Sequence, residues 1–174
     1  MKTLSRRAAA LVLGMLACST GWTHGPTPQS VEESIRIDAP VARVWKVVSD
    51  FAKLAAWHPL VVECVGNDKE RTVTLESGGN LVESLDERKD AEHTYSYRLL
   101  QEKIEAFPVS FYTATITVKA ADGNASDVVW TSRFYRGDTT NEPSEQLDDA
   151  AAIAAVKEFF TVGLRGLKSK VEQP

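Results

Sequence analysis

Cysteine is nearly absent from this chain: two residues in 174, Cys18 and Cys64. Cys18 falls in an N-terminal segment read below as cleaved, so Cys64 is left alone and no internal disulfide can staple the domain. A fold without staples must be held by its core, and an apolar fraction of 43% with 25% charged residues is enough to build one. Other absences exclude chemistry. There is no glycine-rich phosphate loop, no G-x-S-x-G and no basic patch interleaved with aromatics, which removes nucleotide hydrolysis, the common serine hydrolases and nucleic-acid binding from consideration. The histidines, His24, His58 and His93, show no metal-ligand spacing with one another or with Cys64. A copper site at a free His24 N-terminus would need His58 or His93 as further ligands, so neither a metal nor a cofactor is expected. Finally, no apolar run is long enough to span a bilayer.

What is present begins with an export signal. Lys2, Arg6 and Arg7 precede "AAALVLGMLA" and then the small and polar "CSTGWT", the pattern of a cleaved secretory leader. The arginine pair lacks the bulky apolar residue a twin-arginine signal wants soon after it, and "MLAC" is a poor lipid-attachment sequence at Cys18. Residues 1–23 are therefore read as a signal peptide and 24–174 as one domain, periplasmic or secreted, with no membrane span in the mature chain. Cleavage removes three basic residues and no acidic one, moving the formal charge from −4 to −7. Such a charge disfavours nucleic acid and anionic membranes as partners.

Periodicity orders the rest. "VEESIRID" alternates as a strand, with Val31, Glu33, Ile35 and Ile37 on one side. "DAPVARVWKVVSDF" repeats apolar residues at 41, 44, 45, 48 and 51, one face of a helix. "KLAAWHP" allows two short turns before Pro59, which lacks an N–H and forces His58 out of the α region. Six strand-like runs follow, "LVVECV", "RTVTLES", "LVESLDE", "HTYSYRLLQ", "SFYTATITVK" and "DVVWTSRFYR", separated by short turn signals. An acidic loop, which carries an "RGD" read as loop chemistry, leads to a last helix with Ile153, Val156, Phe160, Leu164, Leu167 and Val171 at helical spacing. The expected architecture is α+β: a bent antiparallel sheet of about seven strands around a long C-terminal helix, with two shorter helices after the first strand.

"IDAPVARVWKVVSDF", "WHP", "TYSYRLL", "FPVSFYTATITV" and "VVWTSRF" before a long terminal helix resemble the polyketide cyclase/START-like superfamily, the helix-grip fold, over the whole mature chain. The export signal followed by "HGPTPQ" is most similar to the MxaD-type periplasmic proteins that accompany methanol oxidation. That resemblance implies a helper between a quinoprotein methanol dehydrogenase and its cytochrome c, not a catalyst.

Pleat alternation points Val73, Leu75, Leu81, Glu83, Leu85, Tyr95, Tyr97, Leu99, Tyr112, Ala114, Ile116, Val118, Trp130, Ser132 and Phe134 inward. Glu83 is the misfit. Two roles suit it: a member of a structural hydrogen-bond network fed by tyrosine hydroxyls, or a polar handle of raised pKa in an apolar pocket. Trp57 is either a cavity wall or a core plug. His58 either projects at the cavity mouth or bonds a carbonyl at a helix end. The candidate ligand-binding set is Trp57, His58, Glu83, Tyr95, Tyr97, Tyr112, Trp130, Phe134 and Phe160, with Gly163 leaving room for a small hydrophobic ligand. Cys64, in a valine-rich strand, reads as a small buried residue. The expectation for function is an accessory or binding protein serving a periplasmic dehydrogenase and cytochrome c. The alternatives are a cyclase or dehydratase enzyme using His58 and Glu83, a hydrophobic-ligand carrier unrelated to methanol oxidation, and an interaction module with a filled core.

Overall fold

The computed structural model describes residues 25–173. The signal segment, with Cys18, and His24 lie outside the described residues. Seven strands form one antiparallel sheet: β1 Gln29–Ile37, β2 Val61–Gly66, β3 Glu70–Leu75, β4 Asn80–Lys89, β5 Thr94–Gln101, β6 Val109–Ala120 and β7 Ser126–Arg136. Their order across the sheet is β1-β7-β6-β5-β4-β3-β2. Short turns keep β2 to β7 in sequence, and β1 closes onto β7 because Val31, Ile35 and Ile37 need the same covered face. Helix α1, Val41–Val48, buries Val44, Trp45 and Val48, and a 3-10 segment, Phe51–Ala56, follows it. Helix α2, Asp149–Glu172, is about 36 Å long at about 1.5 Å per residue.

The expected helix-grip architecture is the one observed. Asp148 starts α2 by accepting the Ala151 N–H at 2.8 Å, and the acidic loop before it is tied down by Arg136. The Arg136 guanidinium donates to the Asp138 and Thr140 carbonyls, both at 2.7 Å, so the "RGD" arginine shapes its own loop. Facing the sheet, α2 buries Val156, Phe159, Phe160, Leu164, Leu167 and Val171. Glu33, which points toward the same helix, lies 4.0 Å from the Lys157 ammonium. No helix among the described residues is long and apolar enough to cross a membrane.

Two glycines explain how the "WHP" turn meets α2. A Cβ on Gly166 would stand 2.1 Å from the Trp57 carbonyl oxygen, and one on Gly163 would stand 2.5 Å from the His58 ring and 2.9 Å from Trp130. Spaced three residues apart, they lie on one side of the helix and let the turn lie against its backbone. The space that Gly163 was expected to leave for a ligand is occupied by the His58 and Trp130 rings, because both side chains are large and both are drawn out of water. Gly163→Ala should therefore destabilise the fold by about 1–3 kcal/mol in chemical denaturation through overpacking. An empty space beside Gly163 would give the opposite sign, since alanine is the better helix former by about 1 kcal/mol.

Candidate functional site

Inside the grip the nine expected residues come together, all of them 5% exposed or less. Seven of the nine form one chain of ring contacts that runs from Trp57, with His58 beside it, to Tyr95 through Trp130, Phe160, Tyr112 and Tyr97. Trp130 stacks on Phe160 with ring centroids 4.3 Å apart and an interplanar angle of 11°. Its indole N–H donates to the Tyr97 hydroxyl at 3.1 Å, and the Tyr97 and Tyr112 hydroxyls share a bond of 3.0 Å. Burial pushes the Tyr95 hydroxyl up to about 12, and burial followed by the charge of Glu83 raises Tyr97 well above its ordinary value. These phenols are neutral hydrogen-bonding groups at neutral pH.

Glu83 finds its partner on the neighbouring strand. Arg71 stands directly opposite it in the β3–β4 register, and its Nε donates to Glu83 Oε2 at 2.6 Å. Both side chains are closed to solvent. Arg71 Nη1 donates to the Phe51 carbonyl at 2.8 Å, and the guanidinium lies 4.0 Å from the Phe51 ring centroid and 4.9 Å from that of Tyr97. Burial pulls the Arg71 pKa down, but the adjoining carboxylate and the tyrosines outweigh it and the net movement is upward. The donor to Glu83 is thus an arginine, not the tyrosine hydroxyls that the sequence suggested. Arg71 had a signal of its own: it shares the period-two set of Val73 and Leu75, and it falls opposite Glu83 once the "ESGGN" turn fixes the register.

His58 is 1% exposed, inside the molecule and not projecting at a mouth. Its Nε2 lies 3.0 Å from the Phe159 carbonyl and its Nδ1 accepts the Leu60 N–H at 3.2 Å, which defines a neutral ring protonated on Nε2. Trp57 is a neighbour, 5.8 Å from Trp130 between centroids, and its indole N–H is buried without a partner among the described residues. Cys64 is half-buried, and burial raises its thiol pKa, which makes it a poor nucleophile. Among the described residues, no three histidine, cysteine or acidic side chains gather as a metal site.

Accessible hollows lie at the surface, and one of about 400 Å³ beside the last turns of α2 is lined in part by Trp57, His58 and Gly166. A pocket of about 360 Å³ opens between the turn after β3, the loop before β6 and the first half of α2. Leu60, Leu75, Ala106, Phe107, Ala155 and Phe159 give it apolar walls, and Glu76, Ser77 and Glu158 add polar groups. Phe107 and Phe159, with centroids 5.5 Å apart, form its floor. Beneath that floor Phe159 lies 4.0 Å from the His58 ring and 5.8 Å from Trp130, and Phe107 lies 6.1 Å from Tyr112. These two phenylalanines stand between the pocket and the rings of His58, Trp130 and Tyr112, and neither was among the residues expected from the sequence. A loop phenylalanine carries no periodicity, and Phe159 sits one position off the strict apolar repeat through Phe160.

Residues 28–172 match the family model described as polyketide cyclase/dehydrase and lipid transport. No curated protein matches the chain. Among solved structures, an uncharacterised protein from Bacillus thuringiensis is 25% identical with a TM-score of 0.72, covering 83% of this chain and 100% of its own. The protein XoxI from Bacillus cereus is 26% identical with a TM-score of 0.70, covering 80% of this chain and 93% of its own. The Zhui aromatase/cyclase from Streptomyces sp. R1128 is 17% identical with a TM-score of 0.68, covering 84% and 94%, a likeness of fold.

Buried His58 makes stability depend on pH. Desolvation by burial lowers its pKa from 6.5 to about 4, the Phe159 carbonyl opposes this, and the Arg71 charge adds to it. The unfolded chain binds the proton first, so stability is fully present above about pH 6.5 and is lost as pH falls toward 4, by about 3 kcal/mol in total. His58→Gln keeps a donor and an acceptor but does not titrate. Urea denaturation at about pH 7, 5.5 and 4.5 should give a shallower decline in the variant than in the wild type. Parallel declines would show that folding does not shift the His58 pKa.

Proposed function

The chain belongs to the polyketide cyclase/dehydrase and lipid transport family, and from that membership we propose that it is an exported accessory and binding protein, not a catalyst. Residues 1–23 direct it to the periplasm and are removed, and 24–174 form the single working domain. It takes a small apolar molecule at the pocket above Phe107 and Phe159. Its service is to a quinoprotein methanol dehydrogenase and the cytochrome c that accepts its electrons.

The observation that carries this reading is the phenylalanine floor. A cyclase or dehydratase needs an acid or base in hydrogen-bond reach of the substrate. Here Glu83 is bound to Arg71, and His58 has both ring nitrogens engaged by the backbone. Both side chains are buried, and neither lines the pocket closed below by Phe107 and Phe159. The redox assignment draws on the MxaD-like features of the sequence, and the likeness to XoxI is compatible with it. The formal charge of −7 expected for the mature chain suits a basic partner surface.

Adding the mature protein to a methanol dehydrogenase and its cytochrome c should accelerate reduction of the cytochrome, while the isolated protein turns over no small carbonyl substrate. The acceleration should weaken with salt, because exposed charges are screened over about 8 Å at physiological ionic strength. An unchanged electron-transfer rate at every ionic strength would contradict the accessory role, and turnover of a small carbonyl substrate by the protein alone would replace it with catalysis.

A further inference from the structure

Among the described residues, the charged ones that line the mouth pocket are two carboxylates, Glu76 and Glu158. They come from different elements: Glu76 follows the end of β3, and Glu158 stands on α2. Both are exposed at the rim. Among the described residues neither makes an ion pair, and the cations nearby in the fold are engaged elsewhere. Lys103 binds Glu105 at 3.1 Å, Arg136 binds Asp149 at 3.2 Å, and Lys157 turns toward Glu33. Beneath the carboxylates are the rings of Phe107 and Phe159, whose π faces attract a cation as well as an apolar group. The walls are held together where the Ser77 hydroxyl donates to the Ala106 carbonyl at 3.3 Å, so the pocket joins three segments of the fold.

An apolar hollow with an aromatic floor and unpaired negative charge at its rim is complementary to one class of small molecule. We propose that the mouth pocket selects a small organic cation, an ammonium group on an apolar body, with Glu76 and Glu158 flanking the ammonium and Phe107 and Phe159 receiving the body. The inference rests on the reading of this pocket as a ligand site, and it supplies the charge that the ligand carries. A neutral hydrophobe of the same shape gains the apolar contact alone. An anion meets repulsion from both carboxylates. The volume of about 360 Å³ is at the small end for a ligand site, which limits the molecule to roughly one ring and a short chain.

Calorimetric titration of the mature protein at low salt with phenylpropylamine, phenylpropanol and phenylpropanoate separates the terms, since the three share one body and differ in charge. The amine should bind about tenfold more tightly than the alcohol, and the carboxylate more weakly than either. Glu76→Gln and Glu158→Gln, both rim substitutions that leave the packing intact, should each narrow the amine-to-alcohol ratio to about threefold. The double variant should bring the ratio to one with the affinity for the alcohol unchanged. Equal binding of amine and alcohol by the wild type, or a preference that survives in the double variant, overturns the cation inference and leaves the pocket as a site for neutral molecules. Absence of binding by all three overturns both the inference and the pocket, while the accessory role stands or falls on the electron-transfer rate.

Discussion

Burying Arg71 with Glu83 constrains everything around them. A guanidinium and a carboxylate taken out of water each lose several kcal/mol of solvation, and only close pairing with further hydrogen bonds compensates. The structure supplies those terms from different parts of the chain: the carboxylate from β4, the Phe51 carbonyl from the segment after α1, and ring faces from Phe51 and Tyr97. A shift in the β3–β4 register would separate the charges and leave both unpaired. The pair therefore ties the register of this part of the sheet to the position of the 3-10 segment.

From that pair outward the interior is filled. Tyr95 and Tyr97 pack on Phe51, Tyr97 bonds Tyr112 and Trp130, and Trp130 stacks on Phe160 of α2. His58 completes the set because Gly163 lets its ring lie against the helix, where it bonds the Phe159 carbonyl. In a fold that can enclose a ligand between sheet and helix, this sequence uses the same positions for mutual contacts. Under the proposed function, binding takes place at the mouth, where Phe107 and Phe159 line a pocket whose rim carries Glu76 and Glu158, neither in an ion pair among the described residues.

Much of the fold is legible in the sequence because period two and period 3.6 are local properties. "RTVTLES", "TYSYRLL" and the apolar repeat of the last helix each declare an element and its inner face, and Glu83 stands out at once as a charge on that face. The pair it makes is less visible, since Arg71 becomes its partner only through the cross-strand register. Whether Trp57, Tyr97 and Trp130 line a cavity or fill it is not encoded in their spacing. That depends on centroid distances of 4–6 Å between residues far apart in the chain, and on two glycines that admit the "WHP" turn. Glu76, Phe107 and Glu158 meet only when a turn, a loop and a helix converge, so no motif announces them.

The central claim is that the space between the sheet and α2 is filled and that the proposed ligand site is the pocket above Phe107 and Phe159. Xenon enters apolar voids without needing polar recognition. A crystal of the mature protein pressurised with xenon should show the gas in the mouth pocket and none between Tyr97, Trp130 and Phe160. Xenon bound among those three rings would contradict the account and return the interior to the role of a ligand cavity.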